Sequence, residues 1–443
     1  MKLRWILGVL AVLCWLSPKT SIAQTDSLAF GAYARLTKDT LSSAVFHGRG
    51  YVKDGHKMAS YHIATEFYKL GLKTLFPAPG FYQSFTMSAN VFPEVPVLAF
   101  DEDFLVPGRD FHPAPDCPPI HGTFDLIWID SLSLSNDKAW KKLVKQDLSK
   151  SFLVMDVGSI KSKELQDAAN NLRKNVFGAA GFIEPKSKLT WSVSQAPGKT
   201  PVIEVADSLI HSRYKQVRLR IQSVQMSDFN TVNVVGYVPG KRVRDTFIVV
   251  TGHFDHLGRL GNRIMYPGAN DNASGIGHIL ALAKYFSQPE NQPEYSIAFI
   301  AFGGEEAGLL GSLHYVRNPV IPLKRTRFLL NIDIMGSAEG ITVVNATKHP
   351  EITGMLEQIN TQDQRIGRIK RRGPAANSDH YFFSEMGVPA FFIYTEGKVK
   401  AYHDIYDRAE HVPMEKADDL HWLFVDFIKT LESPEWNPYL KQR

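Results

Sequence analysis

Five short segments in the second half of the chain place His, Asp or Glu just beyond an apolar run. They are Val250–Gly258, with His253, Asp255 and His256; Pro267–Gly275, with Asp271; Ala301–Gly308, with Glu305 and Glu306; Leu330–Gly336, with Asp333; and Tyr402-His403 followed by Asp407. Taken singly, each has an ordinary explanation. Asp271-Asn272 before a helix is good capping chemistry, and Glu305-Glu306 near a helix start favours the macrodipole. Taken together, two His and three acids at successive strand ends, with Gly in four of the five segments, would converge on one pocket. Carboxylates crowded without a cation repel, and their pKa values rise; a divalent cation removes that cost. Mixed imidazole and carboxylate ligation suits zinc, with cobalt or manganese as substitutes. In hydrolytic sites two such ions sit about 3.5–4 Å apart.

The elements that must position these residues form a β-α-β pattern from about Val217 onward. Apolar runs occur at Val232–Val238, Phe247–Thr251, Ser296–Phe302, Phe328–Ile334, Ile341–Asn345 and Val388–Tyr394, with helices expected at Gly275–Phe286 and Glu415–Glu432. Nearly continuous apolar strands are covered on both faces. The expected fold is therefore α/β, a mixed and mostly parallel open sheet sandwiched by helices, whose carboxyl edge carries the site. Ser27–Phe85 reads as helical, with Ala59, Ile63, Phe67 and Leu70 at helix spacing and Gly71 as a stop. Residues 91–200 change character to short strands and Pro- or Gly-containing turns, as in a smaller inserted α+β domain. The expected division is a leader at 1–23, the N-terminal part of the main domain at 24–90, the insertion at 91–200 and the main domain again at 201–443.

The ordered motif set resembles the co-catalytic zinc exopeptidase family that contains bacterial leucyl-type aminopeptidases, glutamate carboxypeptidase and glutaminyl cyclase. The resemblance runs from about residue 230 to 412. Weaker echoes lie at Phe46-His47-Gly48-Arg49-Gly50 and Tyr82-Gln83-Ser84-Phe85. It implies Asp271 as a carboxylate bridging two zinc ions per chain, with His253 and Asp333 completing one site and Glu306 and His403 the other. It implies Glu305 as the general base and Asp255 as the support that orients His253. Asp407 and Asp379 are implied supports, the latter in Ser378-Asp379-His380, which is similar to a family segment beside the active site. Adjacent residues on one short segment do not form a Ser/His/Asp triad, so Ser378 reads as support. Relatives that polarise the scissile carbonyl with a Tyr just before this segment differ here, because Gly373–Asn377 has none. The insertion resembles a protease-associated domain, most closely at Leu105–Phe111.

The implied activity is a metallo-aminopeptidase acting on peptides, with glutaminyl cyclase and glutamate carboxypeptidase as alternatives on the same fold. A non-enzymatic binding or receptor relative typically lacks ligands, whereas all five and Glu305 are present. Arg365, Arg368, Lys370, Arg371 and Arg372 form a basic run that is either a solvated edge or an attraction for a substrate carboxylate.

Composition sets the frame. The chain has 443 residues, 27 Phe, 16 Tyr and 7 Trp, enough apolar bulk for a sizeable core and against disorder. Formal charge is +5, but Lys2, Arg4 and Lys19 lie in the first 23 residues. Removing these three from the 50 basic residues leaves 47 against 45 acids, which gives no reason to expect a nucleic-acid partner. Lys2 and Arg4 ahead of the apolar run Trp5–Leu16, then Ser21-Ile22-Ala23, have the layout of a secretory signal peptide cleaved after Ala23. The expectation is a secreted or periplasmic protein with no membrane attachment after cleavage. Of two Cys, Cys14 leaves with the leader, and Cys117 in a Pro-rich run has no nucleophile context.

Overall fold

The computed structural model describes residues 29–76, 80–129, 137–143, 145–155, 162–337, 339–433 and 436. The expected signal peptide lies outside the described residues. The main sheet has eight strands: β1 (Tyr82–Val91), β2 (Val224–Val238), β3 (Val243–His253), β4 (Tyr295–Phe302), β5 (Thr326–Ile332), β6 (Gly340–Val344), β7 (Arg368–Arg371) and β8 (Ala390–Glu396). Their order is β1-β2-β4-β3-β5-β8-β6-β7. The central four, β4-β3-β5-β8, are mutually parallel, while β1, β2 and β6 pair antiparallel to their inner neighbours.

Alternation within the central strands sends their side chains to two cores. Ile248 and Val250 of β3, Phe299 of β4 and Leu330 of β5 face one way, against α1 (Phe30–Leu41), α2 (Gly55–Lys69), α3 (Ser274–Ser287), α5 (Pro350–Asp363) and α7 (Ala417–Leu431). Val249, Ile300 and Leu329 face the other way, against α4 (Leu310–Arg317) and α6 (His380–Glu385). Burial on both faces is why these strands read as unbroken apolar runs. Helix α3 lies deepest, with every residue but Ser287 buried. It crosses α1 at Gly277, where a Cβ would run into the Ala34 carbonyl, so the two backbones approach only because that residue has no side chain.

A second eight-stranded sheet belongs to the insertion. Its order is Asp103–Phe104, Val97–Phe100, Gln216–Ile221, Ile120–Ile129, Ser151–Met155, Gly181–Lys186, Val202–Ala206 and Phe111–Pro113. Two of these strands lie beyond position 200, so the insertion reaches Ile221 and the expected boundary is corrected. The reason is visible in Gln216–Ile221, where Val217, Leu219 and Ile221 are buried and the residues between them exposed. Such alternation marks a strand covered on one face, and its pairing with Val97–Phe100 and Ile120–Ile129 assigns it to the insertion. The helical reading of Ser27–Phe85 is also corrected at its end. Tyr82–Val91 alternates exposed and buried and pairs with β2. The two units share side-chain packing: Leu257, Leu260 and Tyr266 of the main domain lie in the insertion's apolar cluster. Cys117 is fully buried there, its thiol pushed up to about 12 by burial, consistent with a packing role.

Candidate metal centre

The parallel register brings the motif residues to one edge. His253 ends β3 opposite Phe302 of β4, and the chain after Phe302 turns through Gly303-Gly304 to Glu305 and Glu306. On the other side of β3, Asp333 follows β5, its N–H bonded to Ile393 of β8 at 3.1 Å. His403 comes from the loop after β8, and Asp271 from the loop that opens α3.

Asp271 stands between two groups of donors. Its Oδ1 is 3.2 Å from His253 Nε2, which is 3.3 Å from Asp333 Oδ1. Its Oδ2 is 3.1 Å from His403 Nε2, which is 3.1 Å from Glu306 Oε2. Two ligand atoms about 2.0–2.1 Å from one tetrahedral ion are about 3.3 Å apart, so both groups have the spacing a small divalent cation requires. The donor set, imidazole nitrogen with carboxylate oxygen, is that of zinc. All five side chains converge, four of them buried, and His256 with Asp271 and Glu306 adds a further compact grouping.

The electrostatics match a cation-binding cluster. Burial works against the Asp271 anion, yet hydrogen bonds with His253 and His403 outweigh it and hold the carboxyl well below its ordinary range. Burial also opposes the Glu306 anion, and His403 overcomes it, leaving that carboxyl at about 2. Glu305 goes the other way. Burial and the adjacent Glu306 raise it well above an ordinary glutamate, the direction a proton acceptor and donor near neutrality needs.

Around these side chains lies a shell of supports. Asp407 accepts from the backbone N–H of Asn270 at 2.7 Å and of Asp271 at 3.0 Å, fixing the loop that carries Asp271. The fully buried Arg49 donates to the carbonyls of Pro267, Gly268 and Asp271 in the same loop at 2.8, 2.7 and 3.1 Å. Ser378 Oγ donates to Asp333 Oδ2 at 3.0 Å and accepts from Asn331, so it supports a carboxylate and faces no base. Asp379 is buried beside it, pushed up to about 7 by burial first and by Asp255 and Asp333.

Asp255 differs from expectation in detail. His253 Nδ1 lies 3.1 Å from the Asp255 backbone carbonyl, while the carboxylate is 3.8 Å away. That carboxylate accepts instead from the N–H groups of Glu305 and Glu306 at 3.1 and 3.4 Å, and from Tyr51 Oη at 2.8 Å. It therefore ties the β3 edge to the Glu305–Glu306 turn. The sequence reading gave no role to three residues that the fold brings in. His256 Nδ1 is 2.6 Å from Glu306 Oε1; Tyr51 and Arg49 reach in from the N-terminal segment. His256 stood inside the first motif and Arg49 inside a weak echo, which was the available signal.

Above the cluster is a cavity of about 320 Å³ lined by Asn377, Phe392, Tyr394, Tyr402 and Ser192 of the insertion. Gly373–Asn377 lacks a Tyr, but Tyr394 and Tyr402 bring phenols to the cavity from other segments. Tyr402 stacks on His403 with ring centroids 4.0 Å apart.

Comparison with known proteins agrees with this arrangement. Residues 233–428 match the profile described as Peptidase family M28. Aminopeptidase YwaD of Bacillus subtilis (strain 168) is 30% identical over 227 residues, 48% of this chain and 47% of that protein. A probable zinc metalloprotease of Pyricularia oryzae is 37% identical over 112 residues, 24% of this chain and 22% of that protein. The alignments thus span less than half the length of these curated relatives. Among solved structures, BSAP, a zinc aminopeptidase from Bacillus subtilis, superposes with a TM-score of 0.67 at 21% identity, covering 91% of this chain and 96% of that one. An aminopeptidase from Aneurinibacillus sp. strain AM-1 gives 0.64 at 19% identity, covering 93% and 96%. The fold is shared along nearly the whole chain.

Proposed function

We propose, from the match of residues 233–428 to the profile of peptidase family M28, that the protein is an exported zinc metallo-aminopeptidase that removes the N-terminal residue of peptides. The observation that carries the reading is Asp271, whose two carboxylate oxygens each face a separate His–carboxylate pair. His253, Asp333 and Asp271 would hold one zinc ion, and Glu306, His403 and Asp271 a second. Zinc at such a site supplies Lewis acidity, lowering the pKa of water and polarising a carbonyl.

The chain's own residues do the rest. Glu305 takes a proton from the attacking water and returns it to the leaving amine, which needs a carboxyl titrating nearer neutrality than an ordinary glutamate. Asp255 fixes Glu305 by binding its N–H, so the base stays aimed while its side chain is free to accept. His256 and Asp407 orient Glu306 and the Asp271 loop, the outer support that metal-ligating groups usually need. The insertion is read as a protease-associated domain that contributes Ser192 to the cavity wall. No helix among the described residues is long and apolar enough to cross a membrane.

Mass spectrometry of products from a mixed panel tests this reading. Peptides with a free N-terminus should lose one N-terminal residue, and their acetylated counterparts should persist. Loss of ammonia from N-terminal Gln peptides would instead identify a cyclase, and release of C-terminal Glu a carboxypeptidase.

A further inference from the structure

The five cations between Arg365 and Arg372 do not share one environment. Arg365 pairs with Asp363 and Asp426 at 2.5 and 2.6 Å. Arg368 and Lys370 both reach Glu396, at 2.9 and 3.4 Å. Arg371 forms two bonds to Glu357 of α5, at 2.7 and 2.6 Å. Strand periodicity explains the split: Arg368 and Lys370 share one face of β7, and Arg371 points to the other. Four of the five cations thus have a carboxylate partner within the fold, Arg368 and Lys370 sharing one.

Arg372 is different. Among the described residues it is the one cation of the run without a carboxylate partner. Its Nη1 donates to Tyr394 Oη at 3.4 Å, and Tyr394 lines the cavity above the candidate metal centre. Its backbone is held at the end of β7, where its N–H donates to the Val343 carbonyl at 2.9 Å. The cavity wall contains four acids, His253 and His403, aromatic and neutral groups, but neither Lys nor Arg. Arg372, bonded to the wall residue Tyr394 and lacking a carboxylate partner, complements a substrate carboxylate that points outward from the cavity. The cavity volume, about 320 Å³, is at the small end for ligand sites.

We infer that Arg372 binds a carboxylate on the substrate residue that follows the cleaved bond, which makes dipeptides, or peptides with an acidic second residue, the selected substrates. This rests on the aminopeptidase reading. Tyr394 positions the guanidinium, and Arg372 is the cation of the run with no carboxylate of its own, among the described residues, to satisfy it.

The test compares kcat/KM for Leu-Gly, Leu-Gly-amide, Leu-Asp-amide and Leu-Asn-amide in the wild-type protein, Arg372→Gln and Arg371→Gln. The wild type should favour Leu-Gly over its amide by about tenfold or more, the effect of one charge-assisted contact at a partly solvated site. Arg372→Gln should abolish that preference, and Arg371→Gln should retain it. If the preference extends to Leu-Asp-amide over Leu-Asn-amide, a side-chain carboxylate is also accepted; if not, the anchor is specific for the C-terminus. Equal use of acid and amide by the wild type, or a preference that survives Arg372→Gln, overturns the inference while leaving the peptidase reading intact. Calorimetric binding of Leu-Gly and its amide to Glu305→Gln, with and without Arg372→Gln, separates the two claims. Arg372-dependent preference in binding without wild-type cleavage would keep the anchor and remove the peptidase reading. Binding blind to the carboxylate would remove the anchor.

Discussion

Glu305 and Glu306 are neighbours in sequence with opposite electrostatic settings, one raised by burial and one held at about 2 by His403. The account assigns the first to proton transfer and the second to zinc. Glu305→Gln keeps shape and removes the base, so kcat should fall about 10²–10⁴-fold with metal content and melting temperature preserved. Glu306→Ala should lose zinc from one site, with activity partly restored by excess zinc. Similar small stability losses in both variants and unchanged rates would show that the pair serves only the fold. His256 extends the argument one shell outward: His256→Ala should weaken zinc affinity about 10–100-fold through Glu306, measured by competition with a chelator. Unaltered affinity would sever that link. The five candidate ligands were legible because each stands in a short polar segment just beyond an apolar run, four of the five segments carrying Gly. Tyr51 and Arg49 were not, since their partners Asp255 and Asp271 lie more than two hundred positions away and only packing joins them.

At the scale of elements, the insertion fastens the site it overhangs. After its strand Gly181–Lys186, Trp191 is buried against Tyr266 and Phe92, and its backbone N–H donates to the His403 carbonyl at 2.9 Å. Gln195 Nε2 donates to the Ala307 carbonyl at 3.0 Å, beside Glu306. One strap therefore holds both loops of the Glu306–His403 pair. Trp191→Ala should cost about 3–5 kcal/mol, the usual loss for a buried aromatic, lowering the melting temperature and speeding zinc loss during dialysis against a chelator. Normal zinc retention in a destabilised variant would show that the strap supports the fold but not the site. None of this could be read from sequence. The boundary expected at 200 also missed Gln216–Ile221, because an alternating strand looks alike whether it closes an insertion or edges the main sheet.

The molecule also buries histidines outside the candidate centre, and they contribute to its response to acid. His278 of α3 and His421 of α7 are buried with neither ring nitrogen hydrogen-bonded among the described residues. Burial lowers them to about 4 and about 3, and His112 in the insertion likewise to about 4. An unfolded histidine titrates near 6.5, so between that pH and about 4 the unfolded chain binds more protons than the folded one. The stability these histidines contribute is therefore complete above about 6.5 and falls as pH drops through this window, by roughly 3 kcal/mol for each. Buried carboxyls raised to about 7, such as Asp379 and Asp407, act in the opposite sense. In urea unfolding of the metal-free protein at pH 7.5 and 5, His278→Leu with His421→Leu should lose less stability on acidification than the wild type. Equal slopes in variant and wild type would contradict this origin. At neutral pH the more consequential charges are those gathered around Asp271, where parallel strands, the α3 loop and the insertion strap converge. The account stands or falls on Asp271 facing two ions, and zinc per chain measures that most directly. Metal analysis of apo protein resupplied with zinc and freed of excess should saturate at two per chain; saturation at one would contradict the bridging role of Asp271 and the mechanism built on it.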